Sequence, residues 1–165
     1  MTAADSRPRH GGVPDSSGVR IFPPLLYVAG VGAGAVLQWL RPWAFPGEPR
    51  PWMIAGVLCV MAAAGLAVWA VATFRRAGTT PNPTRPTTAL AFDGPYTFTR
   101  NPMYLSFAIL QVGTALLAGS FWPLVTLPPT LFAVQWLVIA REESYLAAKF
   151  GAPYLEFKSR VRRWL

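Results

Sequence analysis

The sequence predicts an all-α polytopic membrane protein: four transmembrane helices, a cytoplasmic proline-rich loop and C-terminal amphipathic helices. Three observations lead there. Of the 165 residues, 53% are hydrophobic and only 13% are charged, against roughly 25% charged residues in soluble domains. Three long stretches, Ile21 to Leu40, Trp52 to Phe74 and Asn101 to Ala140, contain no charge at all. The basic residues are divided very unevenly among the segments between those stretches.

A hydrocarbon core of ~30 Å needs ~20 helical residues. The first two stretches suit one span each, over 21–40 and 52–74. The third has 40 residues, enough for two spans. Gly119-Ser120-Phe121-Trp122-Pro123 divides it with a turn signal and an interfacial Trp, giving spans over 102–119 and 122–140. A chain this short cannot bury four such helices inside a soluble core.

Local features refine each element. Pro23-Pro24 suits the first turn of helix one. Gly30 and Gly34 lie four residues apart and suit close approach of another helix, within the chain or between chains. Ala62-Ala63-Ala64-Gly65 suits the same purpose in helix two. The Gly30-Val31-Gly32-Ala33-Gly34 run imitates a nucleotide fingerprint, but it follows no strand and opens no soluble helix. Pro128-Pro129 falls in the middle of span four, where it removes backbone hydrogen bonds and should bend the helix.

Thirteen Lys and Arg residues fall before Ile21, between spans two and three, or after Ala140; Arg41 and Arg50 are the only two elsewhere. This bias places both termini and the 75–101 connection in the cytoplasm. The net charge of +8 then reads as an orientation signal with attraction to anionic lipid, not as a nucleic-acid footprint. Residues 1–20 are expected to be a disordered cytoplasmic tail, and 21–165 a single membrane domain. The single cysteine, Cys59, permits no internal disulfide, and the single histidine, His10, lies in the polar tail. No metal site is expected, nor a Cys-His or Ser-His nucleophile. The Arg- and Ala-rich composition suggests a GC-rich bacterial genome and hence the inner membrane.

Polar chemistry is concentrated in two segments, 78–104 and 141–165. The first is too long and proline-rich for a simple helix connection. It ends in Arg100-Asn101-Pro102, where Asn101 suits a helix cap and Pro102 the first helical turn. Arg100 alone would read as a snorkelling anchor. The second segment continues helix four through Arg141-Glu142-Glu143 to Gly151 and Pro153, which end it. A last helix carries Tyr154, Phe157, Val161 and Trp164 on one stripe, as expected of a helix lying on the membrane surface. The acid pair is open to two readings: a salt bridge with Arg100 or Arg141, or a grip on a cationic ligand.

Gly94-Pro95-Tyr96, Arg100-Asn101-Pro102-Met103-Tyr104, Glu142-Glu143 and Phe150-Gly151 followed by Tyr154-Leu155-Glu156-Phe157-Lys158 and Val161 together resemble the isoprenylcysteine carboxyl methyltransferase family. The phospholipid N-methyltransferases share much of the pattern. The resemblance covers about 78–165. It implies an integral membrane enzyme using S-adenosyl-L-methionine, with S-adenosyl-L-homocysteine as product, the cofactor enclosed by the cytoplasmic loop and the C-terminal segments. It carries cofactor binding to Thr88, Ala89, Leu90, Ala91, Tyr96, Asn101, Pro102, Met103, Tyr104 and Glu142. Arg100, Asn101 and Glu143 are the catalytic candidates. Many members have His where this chain has Asn101, which donates and accepts but cannot titrate. An Arg thought to face the substrate carboxylate is replaced by Val138, leaving Arg141 as the nearest candidate for substrate.

Taken by themselves, the residues suit that cofactor. Glu142 could hold its ammonium, Arg100 or backbone amides its carboxylate, and Tyr96 and Tyr104 its adenine or sulfonium. The expected reaction is in-line displacement on the methyl group by a hydrophobic or lipid-like acceptor. A carboxylate acceptor needs no base; an amine or hydroxyl does, and Glu143 is the candidate. The competing expectations are a phospholipid-type N-methyltransferase, an NADPH-dependent membrane reductase of similar topology, and a non-catalytic scaffold.

Overall fold

The computed structural model describes residues 18–19, 21–79 and 87–165. The expected disordered tail falls almost wholly outside these residues, as do Pro81, Pro83 and Pro86 of the loop. All regular structure among the described residues is helical. Helix α1 is Pro24–Leu40, α2 is Pro49–Arg76, α3 is Pro102–Leu117, α4 is Trp122–Val134, α5 is Ala140–Phe150 and α6 is Ala152–Arg160. A 3-10 turn, Gly94–Thr97, precedes α3, and a π-helical turn, Gln135–Ile139, joins α4 to α5.

Among the described residues, two helices are long and apolar enough to cross a membrane: α2, with 28 residues, and the continuous 29-residue helix Trp122–Phe150. The stretches expected to span over 21–40 and 102–119 form shorter helices of 17 and 16 residues, each about 25 Å long. Both start at a proline, whose fixed φ suits the first helical turn. Gly119 ends α3 in the left-handed region at φ +61°, where a Cβ would be strained. Asn101 occupies the cap position of α3, but its side chain makes no capping bond. Its amide instead donates to the carbonyl of Arg163 at 2.9 Å.

Small residues let the helices touch. On α2, Gly56, Ala63 and Ala70 recur every seventh position and are buried. A Cβ on Gly56 would come within 2.9 Å of the Leu117 backbone nitrogen, and one on Gly113 within 3.1 Å of the Gly56 carbonyl oxygen. Of the Ala62–Gly65 run, only Ala63 serves this contact; Ala62, Ala64 and Gly65 are exposed, because they lie off that seven-residue stripe. Gly30 and Gly34 meet α4 of the same chain. A Cβ on Gly34 would lie 2.9 Å from the Pro123 nitrogen, and one on Gly30 would collide with Thr130 Oγ1. Between them, Gln111 Nε2 donates to the Pro123 carbonyl at 2.9 Å and to Thr126 Oγ1 at 3.2 Å. Thr126 in turn donates to the Gly30 carbonyl at 2.8 Å.

One end of the bundle is knitted by aromatic residues. Phe45 N donates to the Gly119 carbonyl at 2.9 Å, Phe121 N to that of Trp43 at 3.0 Å, and Trp122 Nε1 to that of Arg41 at 2.6 Å. Phe45 stacks on Trp52 with ring centroids 4.8 Å apart. At the other end the 3-10 turn, α5, α6 and the C-terminal residues close together.

α6 differs from its expectation. Tyr154 and Phe157 are 3% and 8% exposed and pack with Ala70, Ala91 and Tyr96. Their stripe faces protein rather than a membrane surface, because the 87–101 segment folds between α2 and α6. The helix ends at Arg160; Val161 still packs against the same cluster, whereas Trp164 joins the one around Tyr27 and Ile139. Trp164 turns back to donate from Nε1 to Gln135 Oε1 at 3.2 Å.

Candidate functional site

At this closed end lies a cavity bordered by Phe74 of α2, the 87–91 segment, the 3-10 turn, the start of α3, α5 and α6. Its volume is about 120 Å³, counted as space open to the centres of water molecules.

Local sequence explains why these elements converge. Gly94 has φ +59°, and a Cβ there would come within 2.7 Å of Thr73 Oγ1 and 2.9 Å of Trp69 Nε1. The 3-10 turn can therefore lie directly on α2. Tyr96, 5% exposed, then rests against Phe74 with centroids 4.9 Å apart. Pro102 opens α3 and turns Met103 and Tyr104 to the cavity.

Of the residues singled out in the sequence, Ala89, Leu90, Ala91, Tyr96, Arg100, Asn101, Pro102, Met103, Tyr104, Glu142 and Glu143 border the cavity. Thr88 and Arg141 do not. Thr88 is turned back toward the end of α2, its Oγ1 donating to the Gly78 carbonyl at 2.9 Å and its N–H to Thr79 Oγ1 at 3.2 Å. Arg141 is exposed and reaches the Gly18 carbonyl at 3.4 Å, since a step of one residue along α5 points it away from Glu142. Phe74, Thr87, Tyr145, Leu146, Tyr154 and Phe157 complete the wall and were not picked out as site residues. Tyr145 and Leu146 follow Glu142 by three and four positions, the spacing of one helix face, which was the available signal.

The two acids have different surroundings. Both lie beyond Ala140, where the uncharged stretch ends. Glu142 is half-buried and accepts from Tyr104 Oη at 2.8 Å. Burial pushes its carboxyl up to about 7; the Tyr104 bond pulls it down, and the charge of Glu143 adds to the rise. Glu143 is 6% exposed and is shared among three cations. Arg163 donates to it twice, from Nε at 2.8 Å and from Nη2 at 2.6 Å. Lys158 Nζ lies 3.4 Å and Arg100 Nη1 3.2 Å away. Burial works against the charge of Glu143, but these partners outweigh it and hold the carboxyl below its ordinary value. The acid expected to act as a base is thus the one committed to ion pairs, as the salt-bridge reading of the pair anticipated for Arg100.

Arg100 has the opposite condition. Its side chain is 10% exposed, yet buried Nε and Nη1 have no hydrogen-bond partner. The 3.2 Å approach of Nη1 to Glu143 is an ion pair without hydrogen-bond geometry. The C-terminal residues cross beneath. Arg100 N donates to the Arg162 carbonyl at 2.9 Å. Thr99 Oγ1 and Asn101 Nδ2 both donate to that of Arg163, at 3.2 and 2.9 Å.

The family model for phospholipid methyltransferases matches residues 51–153, from the start of α2 to the start of α6. The chain belongs to the phospholipid methyltransferase family. Membership makes it a membrane methyltransferase, and the matched stretch holds every cavity residue except Tyr154 and Phe157. Within the curated proteins, an uncharacterized protein of Haemophilus influenzae is 36% identical over 63 residues, which is 38% of this chain and all of that protein. The protein-S-isoprenylcysteine O-methyltransferase of Schizosaccharomyces pombe is 33% identical over 72 residues, 44% of this chain. The match spans only 30% of the yeast protein. No solved structure matches the chain.

Proposed function

We propose that the chain is an S-adenosyl-L-methionine-dependent methyltransferase acting on a hydrophobic or lipid-like acceptor, with a carboxylate as the favoured nucleophile. One observation carries the reading. An aromatic-walled cavity is bordered by a carboxylate, Glu142, and by a guanidinium, Arg100, two of whose buried nitrogens make no hydrogen bond. That donor and acceptor set suits an amino-acid zwitterion, and the aromatic wall suits a nucleoside and a sulfonium.

S-Adenosyl-L-methionine, when bound, supplies a methyl group activated by its sulfonium. The chain's own residues bind and orient. Glu142, fixed by Tyr104, takes the ammonium; Arg100 takes the carboxylate. Tyr96 and Tyr104 supply ring faces, and Ala89, Leu90 and Ala91 supply backbone and small side chains beside the adenine. Phe74, Met103, Leu146 and Phe157 keep water from the reacting atoms, and positioning of this kind contributes ~7–11 kcal/mol to such displacements. A carboxylate acceptor needs no proton removed.

A second reading, amine methylation, is favoured by the family description. The isoprenylcysteine O-methyltransferase relative supports the carboxylate; the family description supports a phospholipid amine.

We further propose that residues 21–165 form one membrane domain with four spans, α1 and α3 crossing despite their length by drawing the bilayer thinner. Both termini and the cavity face the cytoplasm, on the side of the thirteen basic residues, and the membrane is a bacterial inner membrane. Calorimetry on the purified chain in detergent tests the cofactor: saturable binding of S-adenosyl-L-homocysteine is expected, and no binding overturns the reading. Displacement by NADPH would instead favour a reductase. Transfer of labelled methyl to a lipid extract then identifies the acceptor; binding without transfer to any lipid would favour a scaffold.

A further inference from the structure

Glu143 is the only carboxylate within ion-pair distance of Arg100 among the described residues. Left to itself, a buried guanidinium and a buried carboxylate settle into a bidentate pair, since that geometry satisfies the most donors. Here they do not. Oε1 of Glu143 lies 3.2 Å from Arg100 Nη1, yet it accepts its hydrogen bond from Arg163 Nε at 2.8 Å. The other oxygen accepts from Arg163 Nη2 at 2.6 Å. Arg163 is itself held in place through its carbonyl by Thr99 and Asn101, the two neighbours of Arg100 in sequence. The tail that carries Arg163 is anchored at Arg162 by the Arg100 backbone and at Trp164 by Gln135.

We propose that Arg163 is a positioning residue of the site: by occupying both oxygens of Glu143, it keeps Arg100 under-coordinated and available to a ligand carboxylate in the cavity. This rests on the cofactor reading given above and adds to it. An unsatisfied buried donor is costly, so the fold maintains Arg100 in a state that a carboxylate ligand relieves. Removing Arg163 would free Glu143 to turn onto Arg100 and compete with the ligand from inside the protein. Arg163 touches neither the cavity nor the reacting atoms and acts only through Glu143.

The test compares two ligands and two variants of the full-length chain in detergent. S-Adenosyl-L-homocysteine carries the amino-acid carboxylate; 5′-methylthioadenosine keeps the nucleoside and thioether but lacks it. Arg163→Met is expected to weaken S-adenosyl-L-homocysteine about tenfold, the worth of a charge-assisted hydrogen bond, and to leave 5′-methylthioadenosine within about twofold. The double variant Arg163→Met with Glu143→Gln removes the competitor as well, and it should return S-adenosyl-L-homocysteine to within about threefold of the unaltered chain. Arg163→Met binding both ligands normally overturns the proposal. So does equal weakening of both ligands, which marks a merely structural loss. If Arg163→Met does not fold, a folded double variant that fails to bind S-adenosyl-L-homocysteine overturns it. Should the unaltered chain bind neither ligand, the cofactor reading falls and this inference with it. Normal binding by the unaltered chain with no effect of Arg163→Met removes this inference alone.

Discussion

Tyr104, in the first turn of α3, donates from its hydroxyl to Glu142 Oε1 on α5 across 2.8 Å. The bond joins the first turn of α3 to the first turn of α5, and it favours the ionised carboxylate. Burial and the neighbouring Glu143 favour the neutral form, and the balance leaves Glu142 at about 7. Its charge therefore changes close to neutral pH.

An ammonium-bearing ligand prefers the ionised acid. Affinity for S-adenosyl-L-homocysteine should fall by about tenfold in all as pH drops through about 7, and level off above it. Calorimetric titrations across about pH 5.5 to 8.5 check this. Glu142→Gln should flatten the profile and weaken binding about tenfold at pH 8, while the variant stays folded. For stability the sign is opposite. The folded chain holds the Glu142 proton up to about 7, against 4.5 ordinarily. Folding thus binds extra proton between those values, and the contribution of this group declines as pH rises through that window.

Tyr104→Phe deletes the interaction that favours ionisation. The midpoint of the affinity profile should move to higher pH. The loss of one hydrogen bond to a charged group should also lower stability by roughly 1.5–3 kcal/mol. Repeating the pH series on the variant and comparing its unfolding in detergent measures both effects.

Gly34→Ala places a Cβ 2.9 Å from the Pro123 backbone nitrogen. Backbone cannot swing aside, so α1 must separate from α4, at a cost of about 1–3 kcal/mol. Gly32→Ala, where a Cβ meets nothing within 4 Å, should be neutral or stabilise by up to about 1 kcal/mol through helix propensity. Thermal unfolding of the pair in one detergent is the measurement. Equal behaviour would mean that the α1–α4 contact is looser than described.

Gln111→Leu removes the donors that reach the Pro123 carbonyl and Thr126. Interhelical bonds of this kind are worth roughly 0.6–1.7 kcal/mol in a membrane, and unfolding of the variant should show a loss in that range. Ligand affinity should change less than twofold, because Gln111 is not part of the cavity wall.

Much of this was readable from the chain. The uncharged stretches located every long helix, because lipid selects against charge over a fixed length. Prolines and Gly119 marked helix ends, because their backbone preferences are local. Gly30 and Gly34 were correctly read as a contact, though nothing in the chain said whether α4 or another chain would supply the partner. Most residues drawn from the 87–104 segment and the acid pair converge on one cavity. Thr88 and Arg141 fall outside it because neighbours in sequence point in different directions, and spacing alone did not say which would face in. The identity of the neighbours of Glu142 and Glu143 was not readable either. The pairing of Glu143 with Arg163 joins positions 20 residues apart in sequence, through a tail whose path is fixed by Thr99, Asn101 and Gln135. The stripe of Tyr154 and Phe157 looked amphipathic, but periodicity does not distinguish a lipid surface from a protein one.

The π-helical turn at Gln135–Ile139 gives the longest helix two independent azimuths. A continuous α-helix turns about 100° per residue, so the outward face of α4 would rigidly dictate where the carboxylates of α5 aim. An extra residue in the turn breaks that link. The half facing its helical neighbours can keep its own phase while the half bearing Glu142 and Glu143 is indexed separately to the cavity. Straightening the turn into α-helix with all its residues kept would swing the acids by about 100°, whereas deleting the extra residue would leave them aimed at the cavity.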